Sequence, residues 1–327
     1  MTAFMPSKRD FLKTTGAAAA SIILPREVIA SLKNIDQPVK IGLITDLHQD
    51  IMHDGPLRLQ VFLDAMKEEQ PDALIQLGDF AYPTKKNEVV TKAFERAHRQ
   101  TLHVLGNHEI DGGHSFDTVA NLWGMKGRYY TEKINGLNVI VLDGNEKPAN
   151  HTSGYPSHIG AKQLEWLATQ LKTLSGPIIV FSHQPLAGPS CIDNAGVVQS
   201  LLNSAADKVL LAVNGHTHID YLTRVDNIPY LHINSASYKW VGGSYRNQSY
   251  PAEIHAKFRW IEYTCPYRES LFTTLTIAPD TGRIGVVGRD STWVGKSPSQ
   301  LGIAAKPNLI DGQQICPRIR SRRIPER

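Results

Sequence analysis

Short polar clusters recur along the first two thirds of this chain, each directly behind an apolar run. They are Asp46-Leu-His48, Gly78-Asp79, Gly106-Asn107-His108-Glu109, Ser182-His183 and Gly215-His216-Thr217-His218. Carboxylate oxygens, imidazole nitrogens and a carboxamide oxygen together suit Mn, Fe, Zn or Co. In extended chain, residues i and i+2 share a side, so Asp46 and His48, and His216 and His218, each present a pair of donors. Asp46, His48, Asp79, Asn107, His183, His216 and His218 are too many donors for one ion and suit two divalent transition-metal ions. Singly, each cluster has an ordinary explanation as a turn, a cap or a hydrogen-bonded histidine. His98, His103, His114, His151, His158, His232 and His255 fall in that ordinary class. The ordered recurrence behind successive strands is what points to metal chemistry.

The elements that must position these clusters follow from periodicity. Apolar runs predict strands over 39–45, 73–77 and 101–105. Helical spacing predicts helices over 57–70, closed by Pro71, and over 87–99. Strand alternating with helix argues for a parallel sheet covered by helices, whose ligands sit beyond the carboxyl ends of the strands. The pattern then changes. Asn135-Gly136 between apolar runs over 129–134 and 137–142 predicts a hairpin. A leucine stripe predicts a helix over 161–174, and further elements follow: strands over 178–181 and 209–213, a helix over 194–206, and strands over 221–225 and 229–233. A late hairpin is expected over 272–277 and 284–288. From Ser291 onward no period remains, and 291–327 is expected to be a tail.

Composition sets the bounds. The chain has 327 residues, 41% hydrophobic and 20% charged, with a formal net charge of +4. That describes a globular protein with a real core, and the charge is too mild to argue for a nucleic-acid partner. The arginines of 318–327 read as a solvated terminal run. Cys191, Cys265 and Cys316 allow at most one disulfide, with the pair left open, and none has metal-site spacing. Eight aromatic residues crowd a short stretch: Tyr238, Trp240, Tyr245, Tyr250, Phe258, Trp260, Tyr263 and Tyr267. They either stack a planar leaving group or pack a subdomain. At the other end, Ser7-Lys8-Arg9-Asp10-Phe11-Leu12-Lys13 precedes a short alanine-rich apolar run. Basic residues, an apolar stretch and then small residues make an export signal, too short to span a bilayer. Its spacing resembles a bacterial twin-arginine signal, with Lys8 in place of the first arginine. Residues 1–30 are expected to direct export to the periplasm and to be removed after Ala30, leaving no stable membrane anchor.

The ordered set of clusters resembles the calcineurin-like metallophosphoesterase superfamily. Its signature is Asp-x-His, Gly-Asp, Gly-Asn-His-Asp/Glu, His and Gly-His-x-His, and the match covers 39 to about 219. The resemblance implies a metallophosphoesterase domain over 38–290 with an α/β, four-layer αββα sandwich of two mixed sheets flanked by helices. It implies that Asp46, His48, Asp79 and His218 hold one metal ion, that Asp79, Asn107, His183 and His216 hold the other, and that Asp79 bridges. It implies a hydroxide shared by ions about 4 Å apart that attacks a phosphomonoester or phosphodiester in line. His108 stands at the substrate-facing position, and Glu109 resembles the acid that orients it. Gly78-Asp79-Phe80-Ala81-Tyr82 and Val180-Phe181-Ser182-His183 also resemble the purple acid phosphatases, in which the tyrosine binds ferric iron. His48 stands where that branch has glycine. The pattern is therefore more similar to the branch that includes class III cyclic nucleotide phosphodiesterases, and Tyr82 is expected to pack beside the site.

Overall fold

Side-chain alternation decides the layering. The computed structural model describes residues 30–32, 35–303 and 309–324, so the expected export segment lies outside the described residues except for its last position. Strands β1 (Val39–Ile44), β2 (Ala73–Gln76) and β3 (Thr101–His103) run parallel side by side. Along β1, Ile41 and Leu43 enter one apolar cluster and Ile44 another; along β2, Ala73 and Ile75 share the first and Leu74 the second. A strand buried on both faces reads as a continuous apolar run, which is why these segments stand out in the sequence.

The second cluster is covered by helices α1 (Gly55–Glu69), α2 (Glu88–Ala97) and α3 (Phe116–Trp123), through Phe62, Met66, Phe94, Val119 and Trp123. Pro56 opens α1, where its missing N–H costs nothing, and Gln70 ends it in a left-handed conformation. The Asn135-Gly136 turn has both residues at positive φ (44° and 90°), as the tight hairpin between β4 (Tyr130–Ile134) and β5 (Leu137–Val141) requires. With β6 (Ile178–Ser182), β7 (Val209–Asn214), β8 (Tyr221–Val225) and β9 (Ile228–His232), these make a second sheet in the order β4-β5-β6-β7-β9-β8. Its Val139, Val141, Ile179, Phe181 and Val213 meet the first sheet, while Ile140, Ile178, Val180 and Ala212 face α4 (Ala161–Thr173) and α5 (Ala195–Asn203). The result is four layers: helices, sheet, sheet, helices.

Two short strands, β10 (Tyr238–Trp240) and β11 (Thr264–Pro266), form a separate ribbon around the small helix α6 (Ala252–Lys257). Then β12 (Thr273–Ala278) pairs antiparallel with β1, and β13 (Arg283–Val286) with β12. No helix among the described residues is long and apolar enough to cross a membrane. Cys191, Cys265 and Cys316 are all free thiols.

The expected tail over 291–327 is corrected by the structure. β14 (Arg289–Asp290) pairs with β15 (Arg318–Ile319), and β16 (Arg322–Ile324) closes the edge of the first sheet against β13. Strands of two or three residues carry no readable period, so the pattern was silent there. Arg320 and Arg322 do not belong to a solvated run either. Arg320 Nε and Arg322 Nη1 each lie 2.6 Å from a carboxylate oxygen of Asp220, which is fully buried. Their partner stands a hundred residues away and could not be seen locally. Removing one member of a buried pair leaves the other charge uncompensated. Asp220→Ala is expected to lower the unfolding free energy by about 3–5 kcal/mol in urea titration. A loss typical of a surface pair, about 1 kcal/mol or less, would show that the C-terminal strand is held by something else.

Candidate metal centre

The parallel pairing of β1 and β2 does not stop where the strands stop. Leu77 N–H donates to Ile44 O, Asp46 N–H to Gly78 O, His48 N–H to Asp79 O and Gln49 N–H to Phe80 O, at 2.9–3.1 Å. The two polar clusters thus run on as one ladder, but with a different backbone. Asp46, His48, Asp79, His216 and His218 all have positive φ, between 48° and 65°. Left-handed backbone costs an L-residue roughly 1–2 kcal/mol, and such strain gathers at functional sites. Here it curls each strand end so that i and i+2 side chains converge on one spot.

Two groups made of the predicted donors converge there, Asp46, His48 and His218 in one and Asp79, His183 and His216 in the other, each with its ligand-type atoms within 4.8 Å of one another; a third group overlaps them through His48 and Asp79 and adds His108. His48 Nε2 and His218 Nε2 face each other at 3.3 Å, and His183 Nε2 and His216 Nδ1 at 3.2 Å. Asp46 Oδ1 lies 3.0 Å from His218 Nε2. A single oxygen, Asp79 Oδ2, faces both groups, 3.2 Å from His183 Nε2 and 3.7 Å from His48 Nε2. Asn107 is buried at the edge of the second group, and its Oδ1 has no hydrogen-bond partner. All seven donors predicted from the sequence are gathered into one site. Paired imidazoles with facing nitrogens, shared carboxylates and an orphaned buried carboxamide oxygen fit two cations.

Orientation and charge are set by what lies behind the donors. His183 Nδ1–H donates to Leu77 O at 2.8 Å and His218 Nδ1–H to Tyr238 O at 2.7 Å, which turns each Nε2 toward the site. Asp46 accepts from Thr45 Oγ1 at 2.5 Å and from His216 N–H at 3.1 Å. Burial pushes His48 down to about 4, and burial with the neighbouring His183 pushes His216 down to about 3. Both rings are therefore neutral at physiological pH, the form that binds metal. Burial would raise Asp46 and Asp79, but the surrounding histidines outweigh it and hold both below the usual carboxylate range. His183 goes the other way: burial is overcome by Asp79, and its pKa rises to about 10. A metal ion held by this group would take the place of that proton.

The expected role of Glu109 is corrected. Its carboxylate does not reach toward His108. It is fully buried and accepts from the N–H groups of Gly106 (2.6 Å), Asp79 (3.1 Å) and Phe80 (2.6 Å), which fixes the loops after β2 and β3 to each other. The residue at His108 is Asp111, with Oδ2 2.9 Å from Nδ1, and Tyr155 O–H donates to the same oxygen at 3.0 Å. His108 begins a one-turn 3₁₀ helix, so the i+3 spacing of Asp111 was the signal available. Burial lowers His108, but Asp79 and Asp111 raise it further, to about 9. Tyr82 lies beside His108, ring centroids 6.5 Å apart, and burial with nearby Asp111 and Asp50 pushes its hydroxyl up to about 12.

The sequence profile described as calcineurin-like phosphoesterase matches residues 39–220, more than half of the chain. The chain belongs to the calcineurin-like phosphoesterase family. The four layers described above are the metallophosphoesterase fold. Among solved structures, a dimetal phosphatase from Danio rerio superposes with a TM-score of 0.56 at 16% identity, covering 79% of this chain and 99% of that one. The structure of PhoD gives a TM-score of 0.49 at 12% identity, over 80% and 67% of the two chains. GAP50, the anchor in the inner membrane complex of Plasmodium, gives 0.49 at 15% identity, over 76% and 86%. Comparison with curated protein sequences returns no match.

In this family member the donors open into a cavity of about 580 Å³. The predicted aromatic stretch divides: Tyr238, Trp240 and Trp260 line the cavity, while Tyr250 packs on His53 and Tyr267 on Trp293. Tyr155 and Lys239 also line it and carried no motif. Gly106 is needed for close approach: a Cβ there would stand 2.2 Å from Asp79 N and 2.3 Å from Asp79 Oδ1. Gly106→Ala is expected to cost about 1–3 kcal/mol of stability and to lower bound metal measured by elemental analysis. Full metal content with unchanged stability would mean that Asp79 is not held by this contact.

Proposed function

We propose that this chain is a dinuclear-metal phosphoric ester hydrolase acting on a phosphomonoester or phosphodiester. The observation that carries the reading is Asp79 Oδ2 facing both donor groups. Under this reading Asp46, His48, Asp79 and His218 hold one divalent transition-metal ion, and Asp79, Asn107, His183 and His216 hold the other. When bound, the two ions supply Lewis acidity and a water ionised at neutral pH. The remaining work belongs to the chain. Asp79 fixes the spacing of the two groups through Glu109 and three peptide N–H groups. His108 Nε2, 3.9 Å from Asp79 Oδ2, carries a proton at the mouth of the site and delivers it to the departing ester oxygen. Asp111 holds the other ring nitrogen and favours the imidazolium. Buried apolar strands beneath the donors keep bulk water from reaching them from below. The +4 charge favours no nucleic-acid partner, and a small phosphoester is the expected substrate.

Metal-loaded protein assayed with p-nitrophenyl phosphate and bis(p-nitrophenyl) phosphate separates monoesterase from diesterase. Asp79→Asn is expected to lose both metal and turnover. His108→Ala is expected to keep its metal and lose roughly 10²- to 10⁴-fold in kcat, with Asp111→Asn falling part of the way. If the Asp79 variant kept both ions and full activity, the bridging role would be wrong. We also propose export through residues 7–13, whose basic-then-apolar order supports it. Replacing Lys8 and Arg9 with glutamine is expected to move the protein from the periplasmic to the cytoplasmic fraction of a bacterial host; unchanged fractionation would reject that route.

A further inference from the structure

We propose that the cavity beside the metal-ligand cluster recognises a planar aromatic ring carried by the phosphoester. This rests on the phosphoesterase reading for its phosphate end, but the ring site stands on separate observations. Trp240 and Trp260 are 42% and 43% exposed, and both line the cavity. Large aromatic side chains left open inside a concave site mark binding rather than packing. Trp240 is backed by Tyr263 in a nearly parallel stack, centroids 5.7 Å apart and planes at 10°, and Tyr263 also meets Trp260 at 5.1 Å. One face of Trp240 is therefore occupied, and its remaining exposure belongs to the other side.

A chain of ring contacts ties this wall to the reaction centre. It runs from Trp240 to Tyr238 (6.3 Å), on to His48 (4.9 Å), to His108 (4.7 Å) and to Tyr155 (5.8 Å). Tryptophans thus stand at one end of the centre and a tyrosine at the other, with the histidines between them. Tyr155 is 51% exposed, and its hydroxyl is held by Asp111. These rings are fixed by their neighbours before a ligand arrives, so little rotamer entropy is lost on binding. The cavity of about 580 Å³ lies within the span of roughly 300–1,000 Å³ that holds small organic ligands, far more than a bare phosphate fills. Stacking on such surfaces tolerates any planar ring, so a nucleobase and an aryl alcohol are equally good sources of the chemistry.

Non-hydrolysable probes separate this proposal from the catalytic one. Binding of phenylphosphonate and ethylphosphonate to the metal-loaded protein is measured by calorimetry, alongside adenosine 5′-monophosphate against ribose 5-phosphate in the hydrolysis-impaired His108→Ala background. The ring-bearing member of at least one pair is expected to bind roughly tenfold to a hundredfold more tightly. That advantage is expected to collapse toward parity in Trp240→Leu and Trp260→Leu, with metal content retained. A preference in the nucleotide pair assigns a nucleobase; a preference confined to the phosphonate pair assigns an aryl group. Equal binding within both pairs, or a preference that survives both tryptophan variants, overturns the proposal. Neither outcome depends on turnover, so a failure of phosphoester hydrolysis is read separately from a failure of ring recognition.

Discussion

The carboxylate of Glu109 holds the ends of two strands in one hand. Peptide N–H groups from Gly106, Asp79 and Phe80 all point at it, within a region that water does not reach. Three peptide N–H groups converging on one buried side chain fix the loop geometry. Their second effect is electrostatic. Burial and the charge of Asp79 push Glu109 up to about 8, against the smaller opposing effects of His183 and the amides of Phe80 and Asp79. Asp46 and Asp79 add negative charge close by, and His48 and His216 are held neutral beside them. Buried carboxylates such as Asp46 and Asp79 are stable only when paired or bound to a cation, and both face the side where the histidine nitrogens converge.

The left-handed conformations of the five donor residues belong to the same logic. No ordinary sheet tolerates so many in one place. They persist because the ladder between the two clusters continues through them and because the side-chain hydroxyls of Ser235 and Ser237 accept the task of tying Asp46 O and Leu47 O from the other side. Arg58, buried beneath, donates to Ala236 O and Tyr267 O and keeps that segment in place. The site is strained locally and over-determined globally.

Much of this was legible in the sequence for identifiable reasons. Strands buried on both faces announce themselves as apolar runs, and the polar residues behind them stand out by contrast, so the donor set and the layered architecture could be read together. Glu109 misled because its neighbour in sequence, His108, is not its neighbour in chemistry: the glutamate turns inward to peptide groups while the histidine turns outward to Asp111. The C-terminal segment misled because its strands are too short to show a period and its arginines find their carboxylate only after the chain has folded. Tyr155 and Lys239 had no motif at all, since the cavity wall joins a loop residue to a strand residue more than eighty positions further along the chain.

The grip on Asp220 bears on when the site can be finished. Asp220 follows His218 by two positions, and Ile219 between them packs against Leu309 and Ile315. The loop that carries two of the donor imidazoles is therefore clamped by residues made near the end of synthesis, a hundred positions later. Closing so long a loop is slow compared with forming local contacts. A growing chain can pair β1 with β2 and β6 with β7 early, yet its His216–His218 loop stays without the Asp220 clamp until Arg320 and Arg322 arrive.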